Sequence, residues 1–263
     1  MPNPKQRDVV EDPSGDPIAR AARLLREARY AVALTGAGIS TPSGIPDFRS
    51  PGSGLWEHVD PLEVASLFGF RRRPEAFYDW IGPLAEVLRD ARPNPGHVAL
   101  AELEAAGCLK AVITQNIDNL HQAAGSVQVL EVHGHLRTAT CIECYRARST
   151  GALLRRFLRD RRMPRCPECQ GAMKPDVILF GEQLPIDVIN AAHAHVAAAD
   201  VMMVAGSSLE VAPVSQLPMR IRRQGGRLIV VNLGATYVDS AAEVVIHDDV
   251  ATVLPRIARA CGC

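Results

Sequence analysis

No apolar run in this 263-residue chain approaches the length needed to cross a bilayer. The opening stretch MPNPKQRDVVEDPSGDP is polar and has no apolar segment of the kind a signal peptide needs. A soluble, cytoplasmic protein with no membrane partner is therefore expected. Net charge is missing as well. Lys+Arg 29 balance Asp+Glu 29, so no global field draws nucleic acid, and no direct nucleic-acid binding is expected. Aromatics make up only 5%, and they concentrate between residues 52 and 91, in what reads as the core of a small helical lobe. The hydrophobic share of 47% is that of a globular core. The length suits one large domain, or a domain plus a small module. Seven cysteines in a cytosolic chain point to metal or free thiols before disulfides.

The chain is organised around VALTGAGISTPSGIPDFR, residues 32–49. An apolar run ends at Thr35, and a loop holding Gly36, Ala37, Gly38 and Ser40 follows. Backbone N–H groups beside Gly36 and Gly38 can approach a ligand that a Cβ would hold off, and a phosphate-bearing ligand suits them. The dinucleotide fingerprint is incomplete, because its third glycine position is Thr41. A turn-rich connection in an α/β domain is the alternative. Asp47, Phe48 and Arg49 then form a polar, aromatic and cationic cluster on an irregular segment, a placement that favours function over packing.

Residues 1–15 read as a disordered tail. Asp16-Pro17 starts a helix that runs to Arg29. Asn94-Pro95 starts another that ends at Gly107, with Cys108 beside it as a small buried residue. Residues 109–114 form a short strand ending in Gln115, Asn116, Ile117 and Asp118, then Leu120 and His121. Polar groups at the carboxyl end of a strand are where open α/β sheets bind ligands. A helix cap would need only one of them. Residues 127–132 form a further strand, followed by His133, Gly134 and His135. His133, next to a glycine that opens space, suits a general base; a structural histidine is the plain alternative, and His135 is the rival.

Cys141-Ile-Glu-Cys144 and Cys166-Pro-Glu-Cys169 are two C-x2-C pairs. Two such knuckles present four thiolates at a tetrahedral corner, as structural zinc requires. A small helix over 153–159 fits between them. A redox dithiol would need only one pair. With four cysteine ligands no coordination position stays open, so zinc here holds structure. The Arg-rich stretch 155–165 reads as a solvated face. A strand over 175–182, a helix over 186–198 and a strand over 201–205 come next. That strand ends in Gly206, Ser207 and Ser208, a second loop suited to phosphate or ribose. A helix over 214–223 precedes a strand over 227–231, which ends in Asn232, Leu233 and Gly234. A short strand over 244–246 and a helix over 250–260 close the chain. Cys261 and Cys263 read as unpaired, exposed tail residues. Strands alternating with helices imply a doubly wound, Rossmann-like parallel α/β sheet, with a zinc-binding module and a helical lobe. One elongated ligand along its carboxyl edge accounts for four polar strand ends.

GAGIS at 36–40, GIPDFR at 44–49, TQNID at 114–118, the His133-Gly134 pair and the two cysteine knuckles, in this order, resemble the sirtuins, NAD-dependent protein deacylases, of the bacterial and archaeal deacetylase type. The resemblance runs from about Pro17 to Ala260. It implies a catalytic domain over 16–263, with a helical insertion near 52–92 and a zinc module near 136–175. It implies NAD and zinc as cofactors and acylated lysine in proteins as substrate. In the implied chemistry the acyl oxygen attacks the ribose carbon bearing nicotinamide. His133 then acts as base on a ribose hydroxyl, and Asn116 and Asp118 share the catalytic site. Gly36, Ala37, Gly38 and Ser40 wrap phosphates. Ile45, Asp47, Phe48 and Arg49 belong to a loop over the cofactor. Gln115, Asn116, Ile117 and Asp118 hold the ribose and nicotinamide side. Gly206, Ser207, Ser208, Asn232, Leu233 and Val250 meet the adenosine half. Val177, Phe180, Gly181, Glu182 and Val211 border the peptide groove, where strand addition would seat an extended peptide.

A sirtuin subfamily that removes acidic acyl groups carries a Tyr followed three residues later by an Arg in the helical lobe. Here Tyr78 matches the Tyr and Ile81 stands at the Arg position. The acyl pocket is expected to lack a cation and to prefer acetyl or short unbranched chains. ADP-ribosyl transfer to protein at the same NAD site is the nearest enzymatic alternative. A non-catalytic NAD-sensing adaptor is the other, although a sensor needs no base at position 133.

Overall fold

The computed structural model describes residues 15–47 and 59–263. The expected tail, Phe48, Arg49, Leu55 and Trp56 lie outside the described residues, apart from Gly15. In chain order the elements are α1 (Pro17–Glu27), β1 (Ala31–Thr35), α2 (Pro61–Val64), α3 (Leu67–Arg72), α4 (Pro74–Asp90), α5 (Pro95–Ala105), β2 (Ala111–Thr114), α6 (Leu120–Ala123), β3 (Val129–Glu131), β4 (Gly134–Cys141), β5 (Ala147–Ser149), α7 (Thr150–Asp160), β6 (Met173–Val177), α8 (Ile186–Ala198), β7 (Val201–Ala205), α9 (Leu217–Arg223), β8 (Arg227–Val231), β9 (Val244–Ile246) and α10 (Val250–Cys261). The helix starts follow their sequence signals. Asp16 accepts from the Ile18 N–H ahead of Pro17, and Asn94 accepts from the Gly96 N–H ahead of α5.

Six strands form one parallel sheet in the order β3-β2-β1-β7-β8-β9. Strands β1, β2 and β7 are buried along their whole length, which explains their unbroken apolar runs. Their side chains divide by parity. Ala31, Ala33, Met203, Ala205, Ile229 and Val231 pack with α1, α5 and α10. Val32, Leu34, Met202, Val204, Leu228 and Val230 pack with α8 and α9. The sheet is thus the middle of three layers. Strand order reverses between β1 and β7, so a crevice opens at their carboxyl ends.

A second sheet, β5-β4-β6, is antiparallel and carries the cysteine knuckles at one end. It was not legible beforehand. Strand β4 reads GHLRTATC, and a register shift between Gly134 and Ala139 breaks its alternation. Between the two sheets lies an apolar cluster of Phe70, Phe77, Tyr78, Ile81, Phe157 and Leu179. The Phe77 and Tyr78 rings meet edge-on at 5.4 Å, and Tyr78 meets Phe157 at 5.1 Å.

Four expectations need correction. The strand expected over 175–182 stops at Val177. Beyond it the chain turns: the Glu182 N–H donates to the Leu179 carbonyl, and Phe180 pairs with Ser66. The segment expected as a helix from 214 opens as a 3-10 turn, and α9 proper begins at Leu217. Cys261 is the last residue of α10 and is half-buried, as is Cys108. Neither has the environment that the sequence suggested.

Candidate active site

The carboxyl ends of β1, β2, β7 and β8 face one cavity of about 610 Å³. Gly36, Ala37, Gly38 and Ser40 line it after β1, and Gln115, Asn116, Ile117 and Asp118 after β2. Gly206, Ser207 and Ser208 follow β7, Asn232 and Leu233 follow β8, and Val250 opens α10. His133 lines the same cavity, with Ile45 and Asp47. So do Val177, Phe180, Gly181, Glu182 and Val211. Every described residue expected to bind cofactor or border the peptide groove, and His133, therefore lines one cavity.

The loop after β1 is a 3-10 turn, Ala37–Ile39. Its opening N–H groups have no carbonyl of their own turn to bond, which makes them donors for a ligand. The loop interlocks with the one after β7. A Cβ built on Gly206 would lie 2.2 Å from the Ile39 nitrogen. One built on Gly38 would lie 2.9 Å from the Gly206 oxygen. Gly206 also adopts φ +61, so both space and backbone require glycine there.

Side chains cross-brace these loops. The Ser40 hydroxyl donates to Asp118 Oδ2 at 2.7 Å. Asn116 Nδ2 donates to the Gly36 carbonyl and to Ser40 Oγ, each at 3.0 Å. Gln115 Nε2 donates to Ser207 Oγ at 3.0 Å. Burial raises the Asp118 carboxyl above its ordinary range, against the Leu120 N–H and Ser40 hydroxyl that stabilise its anion.

His133 Nδ1 sits 3.2 Å from the Gln115 carbonyl oxygen. A carbonyl only accepts, so Nδ1 carries the proton and Nε2 keeps a lone pair. Burial lowers the His133 pKa, partly opposed by that hydrogen bond, so the ring is neutral at pH 7. The following glycine has a packing reason. A Cβ on Gly134 would lie 2.1 Å from the Asp176 oxygen, where β6 crosses β4. His135 is absent from the cavity lining.

Sequence reasoning missed the layer beneath. Thr35 Oγ1 donates to Thr114 Oγ1 at 2.8 Å and meets His121 Nε2 at 2.9 Å. His97 and His121 are buried, with ring centroids 5.0 Å apart. Burial lowers His97 to about 4, and burial plus the neighbouring His97 lowers His121 to about 3. His97 Nδ1 accepts the Asn94 N–H, which identifies its reciprocal cap with Asn94. Asn94 Nδ2 in turn holds the Ile39 carbonyl at 2.8 Å. The histidine at the third position of α5 was the available signal.

The peptide-side segment is anchored. Lys174 Nζ lies 3.1 Å from Glu182 and donates to the Val177 carbonyl at 2.8 Å. Glu182 also accepts the Leu179 N–H. The Ile178 and Phe180 N–H groups bond the His133 and Ala65 carbonyls. Tyr78 differs from its expected placement. Its hydroxyl donates to the Met173 carbonyl, and it lines a second cavity of about 240 Å³. Phe77, Trp80 and Leu84 face the main cavity instead, and Ile81 lines both.

The thiols of Cys141, Cys144, Cys166 and Cys169 all lie within 4.8 Å of one another. Zinc–sulfur bonds in a tetrahedron put sulfurs about 3.8 Å apart. The spacings of 3.4 Å for Cys141–Cys169 and 3.6 Å for Cys144–Cys166 fit that. Each knuckle closes alike, with left-handed Tyr145 and Gln170 donating to the Cys141 and Cys166 carbonyls.

Comparison with known proteins agrees with this geometry. The Sir2 family model matches residues 36–213. An NAD-dependent protein deacetylase of Caldivirga maquilingensis is 47% identical over 228 residues, 87% of each chain. A solved Sir2 enzyme superposes with TM-score 0.88 at 42% identity, covering 94% of this chain and 98% of its own. A Sir2 complex with p53 peptide and NAD+ gives TM-score 0.83 at 40% identity, covering 91% and 96%. With a family model over residues 36–213, a relative 47% identical over 87% of each chain and a shared fold over nearly the whole chain, the chain belongs to the Sir2 family.

Proposed function

We infer that this chain is an NAD-dependent protein lysine deacetylase, passing the acyl group to ADP-ribose with release of nicotinamide. The observation that carries the assignment of roles is the joint position of Ser40, Asn116, Asp118 and His133 in one cavity at the strand-order reversal. NAD, bound there, supplies a glycosidic bond whose breakage leaves an electrophilic sugar carbon. The chain's residues do the rest. Ala37 and Gly38 N–H groups hold phosphate oxygens at the opening of their turn. Asn116, fixed by Gly36 and Ser40, positions the ribose. Asp118, steadied by Ser40, takes the carboxamide side. His133, neutral and with Nδ1–H on the Gln115 carbonyl, accepts a ribose hydroxyl proton at Nε2. Gly206, Ser207, Ser208, Asn232, Leu233 and Val250 take the adenosine half, with Phe48 and Arg49 assigned to the covering loop.

An acylated lysine enters between the 177–182 segment and Val211. Most N–H groups of that segment, and the Val177, Leu179 and Phe180 carbonyls, are already bonded within the chain, so the peptide pairs with what is left of that segment and at Val211. The helical lobe supplies Phe77, Trp80, Ile81 and Leu84 to the cavity, and no Lys or Arg lines it among the described residues. An acyl carboxylate would be buried there unpaired, so acetyl and short unbranched chains are the substrates. The zinc cluster stands apart as a closed structural site, and a reducing cytoplasm keeps its thiolates available. The functional division is a catalytic unit over 16–263, with the helical insertion near 52–92 and the zinc module near 136–175 as its subordinate parts. No described helix is long and apolar enough to cross a membrane.

The direct test is incubation with NAD and an acetylated peptide, following nicotinamide release and peptide mass together. Matched release and deacetylation support the reading. Nicotinamide release with ADP-ribose added to protein, or no release, would overturn it.

A further inference from the structure

Beneath the active-site cavity lies a buried pair of hydroxyls that lines neither cavity. Thr35 and Thr114 sit opposite each other at the ends of β1 and β2, and both are buried. The Thr35 hydroxyl donates to Thr114 Oγ1 at 2.8 Å. With its proton placed there, Thr35 Oγ1 accepts from His121 Nε2 at 2.9 Å. His121 Nδ1 has no partner among the described residues, so this bond is the polar anchor of its ring. Thr114 Oγ1 also accepts the Asn116 N–H at 3.1 Å. That N–H belongs to the same peptide group as the Gln115 carbonyl, which faces His133 Nδ1 at 3.2 Å. The peptide is trans, so its N–H and C=O point to opposite sides of one plane. Fixing the N–H on Thr114 therefore fixes the direction of the carbonyl. The two bonds polarise the peptide in the same sense, and each strengthens the other. The Thr114 backbone holds the other side, because its carbonyl accepts the N–H of Val132, the residue before His133.

We propose that Thr114 is a positioning residue for the reaction, which rests on His133 being the base: its hydroxyl, backed by Thr35 and His121, holds the Gln115–Asn116 peptide with its carbonyl on His133 Nδ1. Only one of the two neutral tautomers of His133 can act. A ring protonated at Nε2 presents a donor to the ribose hydroxyl in place of a lone pair. With the peptide free to tilt, the Gln115 carbonyl no longer secures the Nδ1 proton, and both tautomers become open to the ring. Burial lowers the His133 pKa and the Gln115 bond opposes it, so loosening that bond also weakens the base. Thr114 touches neither substrate nor cofactor space; it acts through the backbone at 115–116. The chemistry needed at position 114 is the hydroxyl. Serine keeps it, and valine keeps the shape of threonine without it.

The test uses the full-length, zinc-loaded protein and two measurements. Long-range proton–nitrogen NMR spectra of the histidine rings report the His133 tautomer, its signals assigned by their loss in His133→Ala. Nicotinamide release from NAD with an acetylated peptide is followed against pH, with the folded fraction checked at each pH by circular dichroism. Wild type should show the Nδ1–H tautomer. Thr114→Val should populate the Nε2–H tautomer, lower the plateau of kcat/KM by roughly tenfold or more, and move its midpoint down by about half a pH unit or more. Its KM for NAD should stay within about threefold. A fold loosened elsewhere would lower the plateau and move neither the tautomer nor the midpoint. Thr114→Ser should behave as wild type. Thr35→Val removes the backing donor and leaves the Asn116 bond in place; it should give the same changes at smaller size, and it decides the matter where Thr114→Val does not fold. An unchanged tautomer and midpoint in the valine variants, or equal losses in Thr114→Ser, would overturn the proposal. Near-normal turnover in His133→Ala would sink the base and the proposal together, a result distinct from an inactive His133→Ala beside an unaltered Thr114→Val, which sinks the proposal alone.

Discussion

Acid should unfold this protein through two histidines that never meet solvent. His97 and His121 are buried with pKa values of about 4 and about 3, against an ordinary 6.5. Both folded values lie below the unfolded one. Their contribution to stability is therefore complete above pH 6.5 and is lost as pH falls toward the folded values. Below pH 6.5 the unfolded chain takes up a proton at each site and the folded chain does not. Each site costs about 1.4 kcal/mol per pH unit. From pH 6.5 to about pH 5 the pair withdraws roughly 3 kcal/mol, a large share of the 5–15 kcal/mol typical of a domain. Zinc thiolates protonate in the same direction, so the wild-type slope alone does not decide the matter. His121→Asn does. It keeps an amide donor near Thr35, removes one titrating ring, and should cut the slope of stability against pH by about 1.4 kcal/mol per unit. Denaturant melts from about pH 5 to about pH 7.5, with zinc followed by dye, measure both slopes. Equal slopes in wild type and His121→Asn would show that the buried ring does not exclude its proton.

His133→Ala should leave NAD affinity within a few fold while turnover falls by on the order of 10²–10⁴; near-normal turnover in a nicotinamide assay would mean another group is the base. Because burial lowers the His133 pKa, kcat/KM should rise with pH through a midpoint below 6.5; a midpoint above that value would contradict a neutral resting ring. Replacing any one of Cys141, Cys144, Cys166 and Cys169 with Ser should lose zinc and lower Tm sharply, since such sites bind with about 10–16 kcal/mol. Elemental analysis that finds active protein free of zinc would end that idea. For matched peptides, kcat/KM for acetyl-lysine should exceed that for succinyl-lysine by at least about tenfold, and equal values would place a cation in the cavity.

The large sheet was readable because its strands are buried on both faces, so β1, β2, β7 and β8 appear as plain apolar runs stopped by polar residues. The site was readable for the same reason, since each strand end names its own loop. What failed was fixed by contacts distant in sequence that no motif marks. Residues 178–182 keep β-type composition, yet their partners are Ala65, Ser66 and His133, and no local pattern announces those. Tyr78 was aimed at the acyl pocket by motif spacing, whereas its ring packs on Phe157 and its hydroxyl caps Met173. His97 drew no reading from the sequence, and His121 appeared only among the polar residues after β2. His121 meets a Thr35 that bonds Thr114 across neighbouring strands, and His97 packs on His121.

The close fit of Gly206 against Gly38 and Ile39 has a consequence for how this enzyme can diversify. The two loops behave as a keyed joint, in which neither half can be recut alone. A library randomised only at residues 36–40, or only at 206–208, would be filled with chains whose backbones collide. Variation in what the enzyme accepts is therefore channelled away from the joint, toward the wall formed by Phe77, Trp80, Ile81 and Leu84, which lies on a helix and not on a strand of the sheet.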